Sequence, residues 1–312
     1  MAYIEMSHVA KTFATSGGSL REVLSDVSLS IGRGEFVSIL GTMGCGKSTL
    51  LKILAGLIAP DAGQVTIDRE VVRGVRPSAA IVFQNYSLLP WFSALENVRL
   101  AVGAAFPDWP RDRQRQQAVR HLESVGLGHA IDRRPGQLSG GMRQRVAIAR
   151  AFAIEPELLF LDEPFGALDA LTRDSLQQEL ARLCSVAGRP ITTVMITNSV
   201  EEALLLSDRI LPMTAGPRAT LGAPVAVELA KPRSASELLH DDHAAGVRAH
   251  VIATLTEDLA RSRSITRSGL QQAGQVRLTA SAKAPASLAE AERRRKANGP
   301  AVNTTLAAEG EG

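Results

Sequence analysis

Cysteine is nearly missing from this chain: 312 residues hold two, Cys45 and Cys184. Two thiols cannot build a disulfide framework or a cysteine-based metal site. Cys45 lies inside a glycine-rich loop, which suits a reducing compartment. Aromatics are scarce too, at 4% of residues. No apolar run approaches the roughly 20 residues that cross a bilayer. The opening Met1-Ala2-Tyr3-Ile4-Glu5 lacks the charged region and apolar core of a signal peptide. A soluble cytoplasmic protein is therefore expected, one that serves a membrane only through a partner. No charge of one sign dominates: the net charge is +3, and basic residues are spread out apart from Arg293-Arg294-Arg295-Lys296. That reads as a solvated surface rather than a nucleic-acid footprint. Neither an internal repeat nor a sustained heptad pattern is present.

What is present is a hydrophobic fraction of 45%, enough for a substantial core. One stretch organises it: Gly41-Thr42-Met43-Gly44-Cys45-Gly46-Lys47-Ser48-Thr49. The apolar run Phe36–Leu40 precedes it and Leu50–Leu54 follows, which reads as strand, glycine loop, helix. The spacing G-x-x-x-x-G-K-S is that of a phosphate-binding loop. Glycines let successive N–H groups turn inward at an anion, and the helix adds its positive N-terminal end. Lys47 is placed to reach the β- and γ-phosphates of a nucleotide, and Ser48 to offer a hydroxyl to Mg²⁺.

Strands are expected at 3–9, 23–31, 35–40, 64–68, 79–83, 157–161, 191–197 and 209–213. Helices are expected at 47–55, 171–187 and 200–207, with Gly56 ending the first. Between about Trp91 and Arg150 the pattern turns helical. There Arg111–Val125 is polar with a thin apolar seam at Val119, Leu122 and Val125. Alternating strands and helices imply an α/β fold with a mostly parallel sheet. Farther on, Val247, Val251, Leu255 and Leu259 recur every fourth residue, as in a helix packed on the core. Residues 262–312 have no aromatics and read as a mostly disordered tail, with a short helix conceivable at Ser287–Ala297.

Chemistry gathers in two further places. Leu159-Phe160-Leu161-Asp162-Glu163 ends an apolar strand with two carboxylates: Asp162 to hold Mg²⁺ and Glu163 to orient and polarise an attacking water. Leu138-Ser139-Gly140-Gly141-Met142-Arg143-Gln144-Arg145 places an N-cap serine and two glycines at a helix start, a second anion site. One ATP cannot easily need both anion sites from one chain, so a dimer that closes this element over the partner's nucleotide is expected.

Residues 1–230 resemble the ATP-binding cassette of ABC transporters. The resemblance rests on GTMGCGKST, the glutamine loop VFQN, the signature LSGGMRQRVAIARA and LLFLDEPFGALD. It implies a P-loop NTPase fold with an antiparallel β subdomain and a helical subdomain at about 91–150. The 231–261 segment would be a helical extension. It implies ATP and Mg²⁺ as cofactors and a head-to-tail dimer, with itself or with a second ABC ATPase. By position, Gln84 would sense Mg²⁺ and the γ-phosphate and pass the signal to the membrane subunit. Ser139 and Gly141 would touch the opposite ATP, and Asp169 would sit in the loop that couples the sites. Phe13 would stack on adenine, with a core position as the alternative.

One position departs from that family. Such cassettes usually carry a histidine after the strand ending at Thr197, where it contacts the γ-phosphate, and this chain has Asn198. The six histidines lie elsewhere in the sequence. Asparagine can donate a hydrogen bond but carries no charge. Hydrolysis is then expected to be weakened or to lean on a partner cassette; alternatively, Asn198 does the same positioning work beside Glu163.

Gln84-Asn85-Tyr86-Ser87-Leu88-Leu89-Pro90-Trp91 resembles the importer group for nitrate, taurine and sulfonates, and Met195–Asn198 with Ala215–Gly222 resembles its nitrate type. That implies the energy-coupling subunit of a binding-protein-dependent importer of a small anion (nitrate, nitrite or cyanate; alternatively taurine or an alkanesulfonate). Its partners would be integral membrane permease subunits and, indirectly, a periplasmic or lipoprotein substrate-binding protein. It would lie peripherally on the cytoplasmic face of the inner membrane. Trp91 and Phe92 would receive a coupling helix, or else pack in the core. A soluble cassette ATPase working on nucleic acid or the ribosome is the competing reading. Such relatives generally carry two cassettes or a long coiled-coil insert, and exporters usually fuse their membrane domain; this chain shows one cassette, no heptad run and no membrane domain.

Overall fold

The computed structural model describes residues 2–166, 168–184 and 190–257. The proposed tail at 262–312 and Leu259 of the C-terminal stripe lie outside them. In chain order the elements are β1 (Ala2–Ala14), β2 (Leu20–Gly32), β3 (Phe36–Leu40), α1 (Lys47–Leu54), β4 (Ala62–Ile67), β5 (Glu70–Val71), β6 (Ala79–Val82), α2 (Ala94–Ala105), α3 (Arg111–Ser124), α4 (Gly140–Phe152), β7 (Leu158–Asp162), α5 (Ala170–Cys184), β8 (Thr192–Thr197), α6 (Val200–Leu206), β9 (Arg209–Pro212), β10 (Val225–Ala226) and α7 (Ala235–His240). Residues 242–257 form a further helix.

Two sheets result. One is antiparallel, ordered β2-β1-β4-β5; the other is ordered β10-β9-β3-β8-β7-β6 and is parallel except for the β9–β10 pair. The central strands are continuous apolar runs because both faces are covered. In β3, Phe36 and Leu40 join one buried cluster while Val37 and Ile39 join the other. In β7, Leu159 and Leu161 face the first cluster and Leu158 and Phe160 the second. The first cluster carries the helical subdomain and the second carries α1 and the antiparallel sheet.

Three differences from the sequence reading have local causes. β1 runs on past Val9 to Ala14, with Thr12 and Phe13 paired to Glu22 and Arg21 after register shifts. Bulges break the alternation that marks a strand, so this end was illegible by period. In α3 the fully buried seam is Ala118, Leu122 and Val125 with Gln117, while Val119 is half-buried. Gln117 is tolerated there because its amide donates to Ala153 O at 3.3 Å. The helix expected to start at 171 begins at Ala170, where Asp169 Oδ1 accepts from Thr172 N at 3.0 Å.

Candidate functional site

β3 ends at Leu40, and the loop that follows turns on glycines in the left-handed region. Gly46 has φ 116°, and a Cβ there would meet Val23 Cγ1 at 3.0 Å and Leu24 Cδ2 at 3.1 Å. The loop therefore needs glycine for both conformation and space. The Gly41 and Thr42 carbonyls accept from Lys47 Nζ at 2.9 and 3.0 Å. Cys45 is buried behind the loop, and that burial pushes its thiol up, against the opposing charge of Lys47.

A cavity of about 550 Å³ opens over this loop. Met43, Gly44, Gly46, Lys47, Ser48 and Thr49 form its floor, Phe13, Ala14, Thr15, Arg21 and Val23 one wall, and Gln84 with Glu163 the other. Phe13 is 41% exposed and faces this space, so it is not a core residue. The register shifts that lengthen β1 are what bring it here.

The carboxylates arrive from the end of β7. Ser48 Oγ donates to Asp162 Oδ1 at 2.9 Å. Asp162 is 6% exposed; burial, with the negative charge of Glu163 beside it, raises its carboxyl above the ordinary value, against the Ser48 hydrogen bond and Lys52 and Lys47. Glu163 has φ 46°, and its N–H is fixed on Ile196 O at 3.0 Å. Its Oε2 accepts from Gln84 Nε2 at 3.1 Å and its Oε1 from Asn198 Nδ2 at 2.7 Å. Asn198 Oδ1 in turn accepts from Lys47 Nζ at 2.7 Å. Lys47, Asn198, Glu163 and Gln84 thus form one hydrogen-bonded chain, of which Lys47, Glu163 and Gln84 line the cavity.

The Ser48 hydroxyl at the cavity floor and the Asp162 carboxylate hydrogen-bonded to it are hard oxygen donors. Mg²⁺ takes only one or two protein oxygens and completes its shell from phosphate and water. The described residues hold no cluster of three His, Cys, Asp or Glu, and such a cluster is not what this ion requires. The donor set fits Mg²⁺.

Ser139, Gly141 and Asp169 do not line this cavity. Ser139 Oγ accepts from Met142 N at 3.2 Å and caps α4. A Cβ at Gly141 would meet Thr172 Cγ2 of α5 at 2.5 Å, which fixes how closely α4 and α5 approach. Asp169 is held below the usual carboxylate range by its hydrogen bonds with Thr172.

The segment after Gln84 is built by residues that sequence reading passed over. Asn97 is buried in α2; its Oδ1 accepts from Leu89 N at 2.8 Å, and its Nδ2 donates to the carbonyls of Leu89, Phe92 and Ser93. Arg150 forks onto the carbonyls of Ser87 (2.6 Å) and Tyr86 (2.9 Å), residues with φ of 46° and 62°. Their signals were an asparagine in an apolar helix face and an arginine at the end of a helix otherwise turned to the core. The result is a loop hydrogen-bonded to α2 and α4 that shows Trp91 to solvent at 62% exposure, so Trp91 is not a core residue either.

These features define a class: a nucleotide-binding cassette of the P-loop NTPase fold, with its phosphate loop between β3 and α1. A sequence model described as ABC transporter matches residues 24–166. The chain is 47% identical over 250 residues to the nitrate import ATP-binding protein NrtD of Synechococcus elongatus, covering 80% of this chain and 90% of NrtD. It is 45% identical over 255 residues to the nitrate transport protein NasD of Klebsiella oxytoca, covering 81% of this chain and 96% of NasD. It is 44% identical over 255 residues to the bicarbonate transport ATP-binding protein CmpC of Synechococcus elongatus, but spans only 38% of CmpC's length. Among solved structures, the cassette MJ0796, a dimer bound to ADP and Pi in a post-hydrolysis state, matches with TM-score 0.65 and 32% identity over 73% of this chain and all of that one. The chain belongs to the ABC transporter family, among its ATP-binding proteins. No helix among the described residues is long and apolar enough to cross a membrane.

Proposed function

We propose that this chain hydrolyses ATP as the energy-coupling subunit of an importer for a small oxyanion of the nitrate type. The observation that carries the reading is the convergence of Lys47, Ser48, Gln84 and Glu163 on one cavity, with Asp162 hydrogen-bonded to Ser48 behind it and an exposed aromatic, Phe13, on its rim. Lys47 and the loop N–H groups hold the phosphates. Ser48 and Asp162 would hold Mg²⁺, which neutralises phosphate charge when bound. Glu163 orients the attacking water, and Phe13 stacks on the base. Ser139 and Gly141, which do not line this cavity, serve the nucleotide of a second cassette, and Asp169 couples the two sites. The names of NrtD and NasD support nitrate as the cargo; that of CmpC keeps bicarbonate, also a planar oxyanion, in the same class.

Trp91 and the loop pinned by Asn97 and Arg150 form the surface that receives a membrane permease, which would place the chain peripherally at the cytoplasmic side. A substrate-binding protein would act through that permease and touch no residue here.

The test is steady-state Mg²⁺-ATP hydrolysis by the purified chain beside Glu163→Gln. Turnover that falls by about 10²–10⁴-fold in the variant, with ATP binding retained, is the expected result. Equal turnover in both proteins would remove Glu163 from the reaction.

A further inference from the structure

Lys47 is 4% exposed, and its ammonium has three hydrogens to donate. All three are engaged: by Gly41 O at 2.9 Å, Thr42 O at 3.0 Å and Asn198 Oδ1 at 2.7 Å. A phosphate oxygen can bind Lys47 only by displacing one of these acceptors. Two are main-chain carbonyls of the loop itself, held at the end of β3. The third is the side chain of an exposed residue. Asn198 is the acceptor that can leave.

The same amide is tied at its other end. Nδ2 donates to Glu163 Oε1 at 2.7 Å. A carboxamide is planar, with its oxygen and nitrogen fixed on opposite arms. Turning Oδ1 away from Lys47 swings Nδ2 off Glu163, and a half-turn would set Oδ1 against the carboxylate. The two hydrogen bonds are therefore made and broken together. Glu163 keeps its backbone anchor on Ile196 O (3.0 Å), its Gln84 hydrogen bond (3.1 Å) and its ion pair with Lys47 (3.9 Å), so what it loses is the Asn198 bond alone, and the strand end need not move.

We propose that Asn198 is a positioning residue that competes with nucleotide phosphate for Lys47, so that phosphate arrival at Lys47 also releases Glu163 from the Asn198 amide. This rests on the reading that the cavity takes ATP. A protonated histidine at this position would offer Lys47 no acceptor; the asparagine amide offers one and remains uncharged. Asn198 thus sets how tightly phosphate is held as well as how Glu163 is placed.

The experiment is equilibrium binding of ADP in EDTA to the full chain, which removes metal and hydrolysis from the readout. The β-phosphate of ADP reaches Lys47, and nothing extends to where a γ-phosphate would meet position 198. Asn198→Ala and the near-isosteric Asn198→Leu are expected to bind ADP about three- to tenfold more tightly than wild type, the effect of removing one competing hydrogen bond. Asn198→Asp is expected to bind more weakly, because a carboxylate would hold Lys47 harder and repel phosphate. Position 198 is exposed, so melting temperatures should match wild type. Unchanged or weakened ADP affinity in both the Ala and Leu variants would overturn the competition. Failure of wild type itself to bind ADP, with Lys47→Ala no different, would instead remove the nucleotide site.

Discussion

Ser48 Oγ and Asp162 Oδ1 lie 2.9 Å apart although 114 residues separate them in sequence. The strand order β3-β8-β7 brings the loop after β3 and the end of β7 to the same edge of the sheet. Asp162 is nearly buried there, and burial raises its carboxyl above the ordinary value. The folded chain therefore holds that proton more tightly than the unfolded chain, and stability falls as pH rises through the window between the two values. Asp162→Asn removes that penalty and keeps an acceptor for Ser48. It should stabilise the fold at pH 7.5 by about 0.5–2 kcal/mol while weakening the effect of Mg²⁺ on nucleotide affinity. Urea melts and ATP titrations with and without Mg²⁺ measure both; a destabilised variant would contradict the burial argument.

Gly141 and Thr172 set the spacing of α4 and α5. Gly141→Ala brings a Cβ to 2.5 Å from Thr172 Cγ2 and should cost about 1–3 kcal/mol through overpacking. Thr172→Ser deletes that methyl group. The double variant should recover most of the loss, and a thermodynamic cycle showing no coupling between the two positions would refute the contact.

Glu202 is buried, capped by the hydrogen bond that Thr197 Oγ1 donates to its Oε2 and approached by Gln177 Nε2 at 3.4 Å. Burial raises its carboxyl above the ordinary 4.5, with Glu163 adding to the shift and Thr197, Arg173 and Gln177 opposing it. Its contribution to stability is present at low pH and is lost as pH rises through the raised value. Glu202→Gln, a permanent mimic of the protonated acid, should lose less stability than wild type as pH rises from 4.5. Thermal melts across that range test this; parallel curves for the two proteins would mean that Glu202 does not titrate there.

Asn97 satisfies four main-chain groups of the loop that carries Trp91. Asn97→Leu keeps the volume but strips Leu89 N and Phe92 O of their partner, while the Leu89 and Ser93 carbonyls keep the N–H groups of Phe92 and residue 97; the cost should be about 1–3 kcal/mol. Proteolysis within 89–93 should accelerate before the sheet unfolds. A loop equally resistant in both proteins would show that Asn97 is not what holds it.

Much of this was legible in the chain itself because it is local. The glycine loop, the apolar strands Phe36–Leu40 and Leu158–Asp162, and the serine cap of α4 each announce themselves within a few residues. What was not legible is tertiary. The β1 bulges that carry Phe13 to the cavity rim follow from pairing with β2. Ala118 rather than Val119 is fully buried because α3 packs against its neighbours at one particular rotation. Thr172 against Gly141, Arg150 under Tyr86 and Asn198 between Lys47 and Glu163 are contacts between distant segments, which no spacing rule reveals.

The order β3-β8-β7 also says when the molecule can come into being. β8 is the central strand of the three, yet it is the last of them to be synthesised. Until Thr192–Thr197 has left the ribosome, β3 and β7 are two apolar strands with no partner between them and open edges facing each other's gap. The growing chain must keep those edges apart for as long as it takes to make α5, and the fold closes late, around a keystone strand that also delivers Asn198.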